Sequence, residues 1–130
     1  MSNFAISADS TQDAESPPAS HVIAYYFHGN FRCVNCYNIE RYSKEAVERY
    51  FKDELASGKV VFKVVNIEEK GNEHFVNDYQ LYTRSLVLSL VKNGKEIKAK
   101  NLTKVWEYLR NKPKFYQYVK DEVNKYLNEF

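Results

Sequence analysis

Cys33 and Cys36 are the two cysteines of the chain, separated by Val34 and Asn35. Two are too few for the disulfide framework that staples a small secreted domain, so their spacing carries the information. A Cys-x-x-Cys pair opening a helix has a defined chemistry. The free N–H groups and dipole of the helix N-terminus stabilise a thiolate at the first cysteine, and Arg32 adds a neighbouring positive charge. One helical turn brings the second sulfur within reach of the first. An exposed thiolate attacks a target disulfide, and the second thiol then resolves the mixed disulfide. This assigns Cys33 as nucleophile and Cys36 as resolver, with no cofactor beyond the dithiol.

Other chemistries are open to the same pair. The pair could be an inert feature of a binding module, a structural disulfide, or part of a metal site. Zinc normally takes a closed set of four ligands, and two thiolates also suit copper(I). His28, five residues before Cys33, is the natural third ligand, with His21 and His74 as candidates only if the fold brings them close. His28 otherwise reads as a strand-end residue with a satisfied ring. Arg32 is expected to be solvent-exposed and to select acidic partners. Trp106 is expected in the core, with partner docking as its functional alternative. There is no Gly-x-Ser-x-Gly, no pair of carboxylates sharing a cleft and no phosphate-cradling Gly-rich loop, so hydrolase and nucleotide chemistry have no foothold.

The elements that must position the cysteines follow from hydropathy patterning. Residues 22–28 are β-rich and apolar throughout, as expected of a central strand covered on both faces. Gly29-Asn30 ends it. A helical pattern runs from about Val34 to Ala56, with Ile39, Ala46, Val47, Tyr50, Phe51 and Leu55 on one side. Ser43 is placed to cap a second, offset segment, and Ser57-Gly58 is a stop signal. Lys59–Ile67 predicts a second strand and Leu86–Val91 a third. Asn72 is placed to cap a short helix carrying Phe75, Val76 and Tyr79 inward. Asn93-Gly94 is a strong hairpin signal, leading into a lysine-blunted edge strand over 96–100. Leu102, Val105, Trp106 and Leu109 form one helical stripe. Asn111 and Pro113 break it and start a last helix carrying Phe115, Val119, Val123, Tyr126, Leu127 and Phe130. That helix covers the sheet edge or offers a dimer or partner surface. The first two strands must be parallel through a right-handed crossover, and the last two antiparallel. The predicted fold is α/β: a four-stranded mixed sheet with helices on both faces and an extra C-terminal helix.

The chain has 130 residues, enough for one domain with one core. Its longest apolar run, Val22–Phe27, is far short of the ~20 residues a membrane-spanning helix needs. A net charge of +2 gives no case for nucleic acid as a partner. The charge is unevenly spread. Residues 1–20 hold Asp9, Asp13 and Glu15 and no Lys or Arg, whereas lysines crowd the chain from Lys92 onward and read as a solvated helical face. Residues 1–20, ending in Pro17-Pro18 and Ser20, read as a disordered leader or linker before a domain over 21–130. An acidic Ser/Pro leader before a redox domain suits an exported, periplasmic or extracytoplasmic bacterial protein whose signal has been trimmed.

The strand Val22–Phe27, the C-V-N-C motif opening a helix, the second strand and the V-K-N-G-K hairpin together resemble the thioredoxin-like superfamily over residues 21–110. The stretch Tyr25–Cys36 (YYFHGNFRCVNC) looks closer still to a bacterial branch described as nitrophenyl-compound nitroreductase subunits of the ArsF type, although nothing resembles a flavin site. The resemblance implies a thiol–disulfide oxidoreductase or redox carrier whose partner is a protein disulfide or dithiol. It also implies that His28, Arg32, Asn35, Ser85 and Leu86 shape the surface around the pair. The family normally carries a cis-proline before the third strand. That position falls on Ser85 or Leu86 here, and a cis bond without proline costs ~3 kcal/mol, so a trans bond is expected. The buried Asp beneath the family's cysteine pair is matched by Tyr26. Arg32 replaces the aromatic residue before the first cysteine, and Val34-Asn35 replaces Gly-Pro.

Overall fold

The structure is a computed structural model that describes residues 18–130, so the leader reading over residues 1–17 lies outside the described residues. Strand β1 (His21–His28) is buried along almost its whole length. Its side chains alternate between two apolar layers. Val22, Ala24 and Tyr26 enter the larger cluster, while Tyr25 and Phe27 enter a smaller aromatic one. This explains an unbroken apolar run: both faces of a central strand are covered.

Helix α1 (Val34–Tyr50) follows β1 and packs on the larger-cluster face through Ile39, Ala46 and Val47. The expected second segment exists but starts later than Ser43. Ser43 stays helical and buried, and the chain bends at Phe51 before a short α2 (Lys52–Ser57). Phe51 explains the bend, because its ring is drawn into the core while its backbone leaves helical geometry (φ −130°, ψ 37°). Gly58 ends α2 in the left-handed region at φ 82°, where a glycine costs nothing.

Strand β2 (Val60–Asn66) runs parallel to β1. It is an edge strand, so Lys63 and Val64 face outward despite its apolar sequence. Helix α3 (His74–Tyr79) lies over the opposite face, with Phe75 and Tyr79 packed on Phe27 and Tyr25. Asn72 does not cap it; its side-chain amide donates instead to the Asn66 carbonyl at 3.0 Å, tying the turn to the end of β2. Strand β3 (Ser85–Lys92) is antiparallel to β1 and nearly fully buried, and β4 (Lys95–Asn101) closes the sheet as an exposed edge. Asn93 and Gly94 both take positive φ, 53° and 80°, the twist a two-residue hairpin demands. Ala19 and Ser20 lie against this hairpin, accepting the Gly94 and Asn93 amides.

The stripe from Leu102 forms only one helical turn, α4 (Lys104–Glu107), before Asn111 starts α5 (Lys112–Leu127). The Asn111 side chain accepts the Lys114 amide at 3.2 Å, and Pro113 sits in the first turn, as both residue types favour. Helix α5 packs against α1, burying Phe115, Tyr116, Val119 and Val123, and its Glu122 pairs with Lys100 of the edge strand β4 at 2.7 Å, so it completes the core layer and also reaches the sheet edge. Phe130 lies past its end and is exposed, so the apolar stripe does not extend to it. The strand order is β2-β1-β3-β4. With helices on both faces, a Cys-x-x-Cys pair after β1 and an extra C-terminal helix, this is the four-stranded mixed α/β architecture expected from the sequence. No helix among the described residues is long and apolar enough to cross a membrane.

Candidate functional site

Cys33 is the N-cap residue of α1, extended at φ −91° and ψ 169°. Its Sγ accepts the backbone N–H of Cys36 at 3.2 Å, the position normally filled by a Ser, Thr, Asp or Asn oxygen. A sulfur capping a helix is held where the amides point and the dipole is positive. The Cys33 thiol is accordingly pushed below the ordinary thiol value. The hydrogen bond from the Cys36 thiol contributes most, followed by the Cys36 amide, with the Asn35 amide adding less. Arg32 is not among the causes of the shift, contrary to the role expected of it. Cys33 is partly exposed, whereas Cys36 is buried with 1% of its surface accessible, and both are free thiols. The two sulfurs thus differ as an attacking and a resolving thiol must.

Arg32 does not stand out in solvent. Its side chain is 17% exposed, pairs with Glu40 one turn beyond the cysteines, and lies over the Tyr37 ring at 4.3 Å. The aromatic rings and the carboxylate draw it down, so its charge braces the first turns of α1. Tyr26 is fully buried and donates from its hydroxyl to the Cys36 carbonyl at 2.8 Å. Burial foremost, and then Cys36, push its phenol far above the ordinary value, so it holds the turn and takes up no proton.

His28 has its Nδ1 2.8 Å from the Gly29 carbonyl, and His21 and His74 are spread over the start of β1 and α3. Among the described residues no three His, Cys, Asp or Glu side chains gather as a metal site needs, so the Cys33/Cys36/His28 alternative is not assembled. Asn35 is exposed on the first turn and, with Asn38 and Trp106, lines a polar groove between α1 and α4. Trp106 is only partly buried. Its indole N–H donates to the Arg84 carbonyl at 2.8 Å, tying α4 to the segment before β3. Ser85 and Leu86 are both buried, so neither lends its side chain to the surface. They pair with Phe27 and Tyr26 across the sheet, and the Ser85 hydroxyl donates to Thr83. Every peptide bond among the described residues is trans.

Four apolar side chains missed in the sequence surround the pair or line the neighbouring loops. Phe31 is 73% exposed, Val34 75% and Tyr82 92%, with Tyr37 more than half exposed. The signal for Phe31 and Val34 was present: large apolar residues flank a cysteine in a Gly-Asn loop, where burial has no partner to offer. Arg84 was missed too. Its Nη2 donates to the Phe31 carbonyl at 2.5 Å, holding the loop that leads into Cys33 from 53 residues away.

No family model matches the chain, and no curated protein matches it. Among solved structures it is similar to thioredoxins. One from Fasciola hepatica is 25% identical, over 69% of this chain and 79% of that one, at a TM-score of 0.39. One from Schistosoma mansoni, in its reduced state, is 18% identical over 79% and 89%, at 0.45. A thioredoxin of the O2 type from Arabidopsis thaliana, in its oxidised state, is 18% identical over 80% and 90%, at 0.43.

Proposed function

We propose that this protein is a thiol–disulfide oxidoreductase or redox carrier working through Cys33 and Cys36. The observation that carries the reading is the asymmetry of the pair: a partly exposed sulfur capping α1 with a lowered pKa, and a buried thiol one turn behind it. The Cys33 thiolate attacks a target disulfide, forming a Cys33–partner bond and releasing the partner's other sulfur as a thiolate. Cys36 then loses its proton and attacks Cys33. The partner leaves reduced and the protein holds a Cys33–Cys36 disulfide, two electrons having passed to the partner. The reverse sequence oxidises a dithiol. Phe31, Val34, Tyr37 and Tyr82 offer exposed apolar contact for a protein partner beside this chemistry. Within this reading the chain stands beside the bacterial ArsF-type branch, on the stretch Tyr25–Cys36. Cys36→Ser is expected to accumulate mixed disulfides that Cys33→Ser does not form, visible as reductant-sensitive mass adducts. Equal adducts on both variants would sink the assignment of roles.

The exposed apolar residues also favour a second reading, a binding module with weak redox chemistry. It predicts partner capture indifferent to either cysteine substitution, whereas the redox reading predicts capture that depends on Cys33.

A further inference from the structure

A cavity of about 160 Å³ opens at the C-terminal end of the parallel β1–β2 pair, behind the loop that presents Cys33. Gly29, Glu68, Tyr82, Thr83 and Arg84 line it. Two opposite charges face one another there without pairing. A Cβ on Gly29 would lie 2.5 Å from Glu68 Oε2 and 3.6 Å from Arg84 Nη2, yet no ion pair joins the two side chains. Each is fixed by a neighbour in the Cys33 loop. Glu68 Oε2 accepts the Asn30 amide at 2.8 Å, and Arg84 Nη2 donates to the Phe31 carbonyl at 2.5 Å. Arg84 Nε is buried with no hydrogen-bond partner, and such a donor costs free energy until something accepts from it. A fixed guanidinium and a fixed carboxylate, close but unpaired, suit a small group carrying both charges. Gly29 is the residue that leaves room for the Glu68 carboxylate to sit there.

The geometry points to a subsite for the α-amino-acid end of a low-molecular-weight disulfide, its carboxylate on Arg84 and its ammonium on Glu68. This rests on the dithiol reading above and adds a substrate class to it. The Cys33 thiolate attacks one sulfur of the small disulfide, releasing one thiol. Cys36 then displaces the second thiol, leaving the Cys33–Cys36 disulfide, so one dithiol is oxidised as one disulfide becomes two thiols. Electrons return from a protein dithiol at the apolar surface.

The test is the rate at which reduced protein is oxidised by four disulfides, read by thiol alkylation and mass. Cystine carries both charges, cystamine only ammonium, dithiodiglycolate only carboxylate, and bis(2-hydroxyethyl) disulfide neither. Each rate is divided by that of free dithiothreitol with the same reagent, which removes leaving-group differences. The expected result is a preference for cystine over the neutral reagent of about ten-fold or more, as two charge-assisted hydrogen bonds supply. Glu68→Lys should shift the preference to dithiodiglycolate, and Gly29→Ala, whose Cβ displaces the carboxylate, should flatten it. Equal normalised rates for all four reagents in the wild type would overturn the subsite and leave the dithiol reading standing. No oxidation by any of them would overturn both.

Discussion

The Cys33 thiol is held below the ordinary thiol value chiefly by the Cys36 thiol and then the Cys36 amide, with the Asn35 amide and Cys33's own amide adding less. Removing the first of these tests the ordering of causes. Cys36→Ala should raise the Cys33 pKa from its lowered value toward that of an ordinary thiol, with the amides keeping part of the shift. The pH profile of iodoacetamide alkylation measures it: the wild-type profile is expected to lie at lower pH than the variant's, and coincident profiles would contradict the account. The placement of the cysteines was legible in the sequence because spacing alone puts them on one turn. The place of Arg32 was not. Its neighbour in sequence is Cys33, but the strongest attractions on it come from Glu40 and Tyr37 across the first turns of α1. Likewise Ser85 and Leu86 were expected to shape the surface and are buried instead, since β3 is covered on both faces.

Helix α1 presents the cysteines, and α5 is the element that holds α1 in place. Phe115 is fully buried between them and meets Tyr42 of α1 edge to face, with ring centroids 5.5 Å apart. Phe115→Ala should cost about 3–5 kcal/mol, the range for truncating a buried aromatic side chain. Denaturant unfolding of the reduced protein measures it, and a loss below about 1 kcal/mol would show that α5 is not part of the core. The helix itself was readable from its apolar stripe and its Asn111 and Pro113 start. What it covers was not, because periodicity fixes which face is apolar and says nothing of the surface it meets. The same limit explains the bend between α1 and α2. Ser43 has the residue type of a cap, but the sequence does not show that Phe51, eight residues on, is pulled into the core. The hairpin and the parallel pairing of the first two strands were legible because Asn93-Gly94 and the crossover rules leave few alternatives.

Across the whole molecule, the site is assembled from segments far apart in the chain. The loop before Cys33 is held by Glu68, beyond β2, and by Arg84, before β3, while Trp106 of α4 ties down the Arg84 carbonyl. Only the fold brings these together, which is why they were invisible while the Cys-x-x-Cys motif was plain. All of this positioning serves one claim, that Cys33 and Cys36 cycle between dithiol and disulfide. The most direct test is to equilibrate the protein across a graded series of glutathione redox buffers and count free thiols by alkylation and mass. The account predicts a reversible two-electron transition, reached from either direction and absent in Cys33→Ser, with a midpoint that places the pair as reductant or oxidant. A pair that stays in one state across the whole range would contradict it.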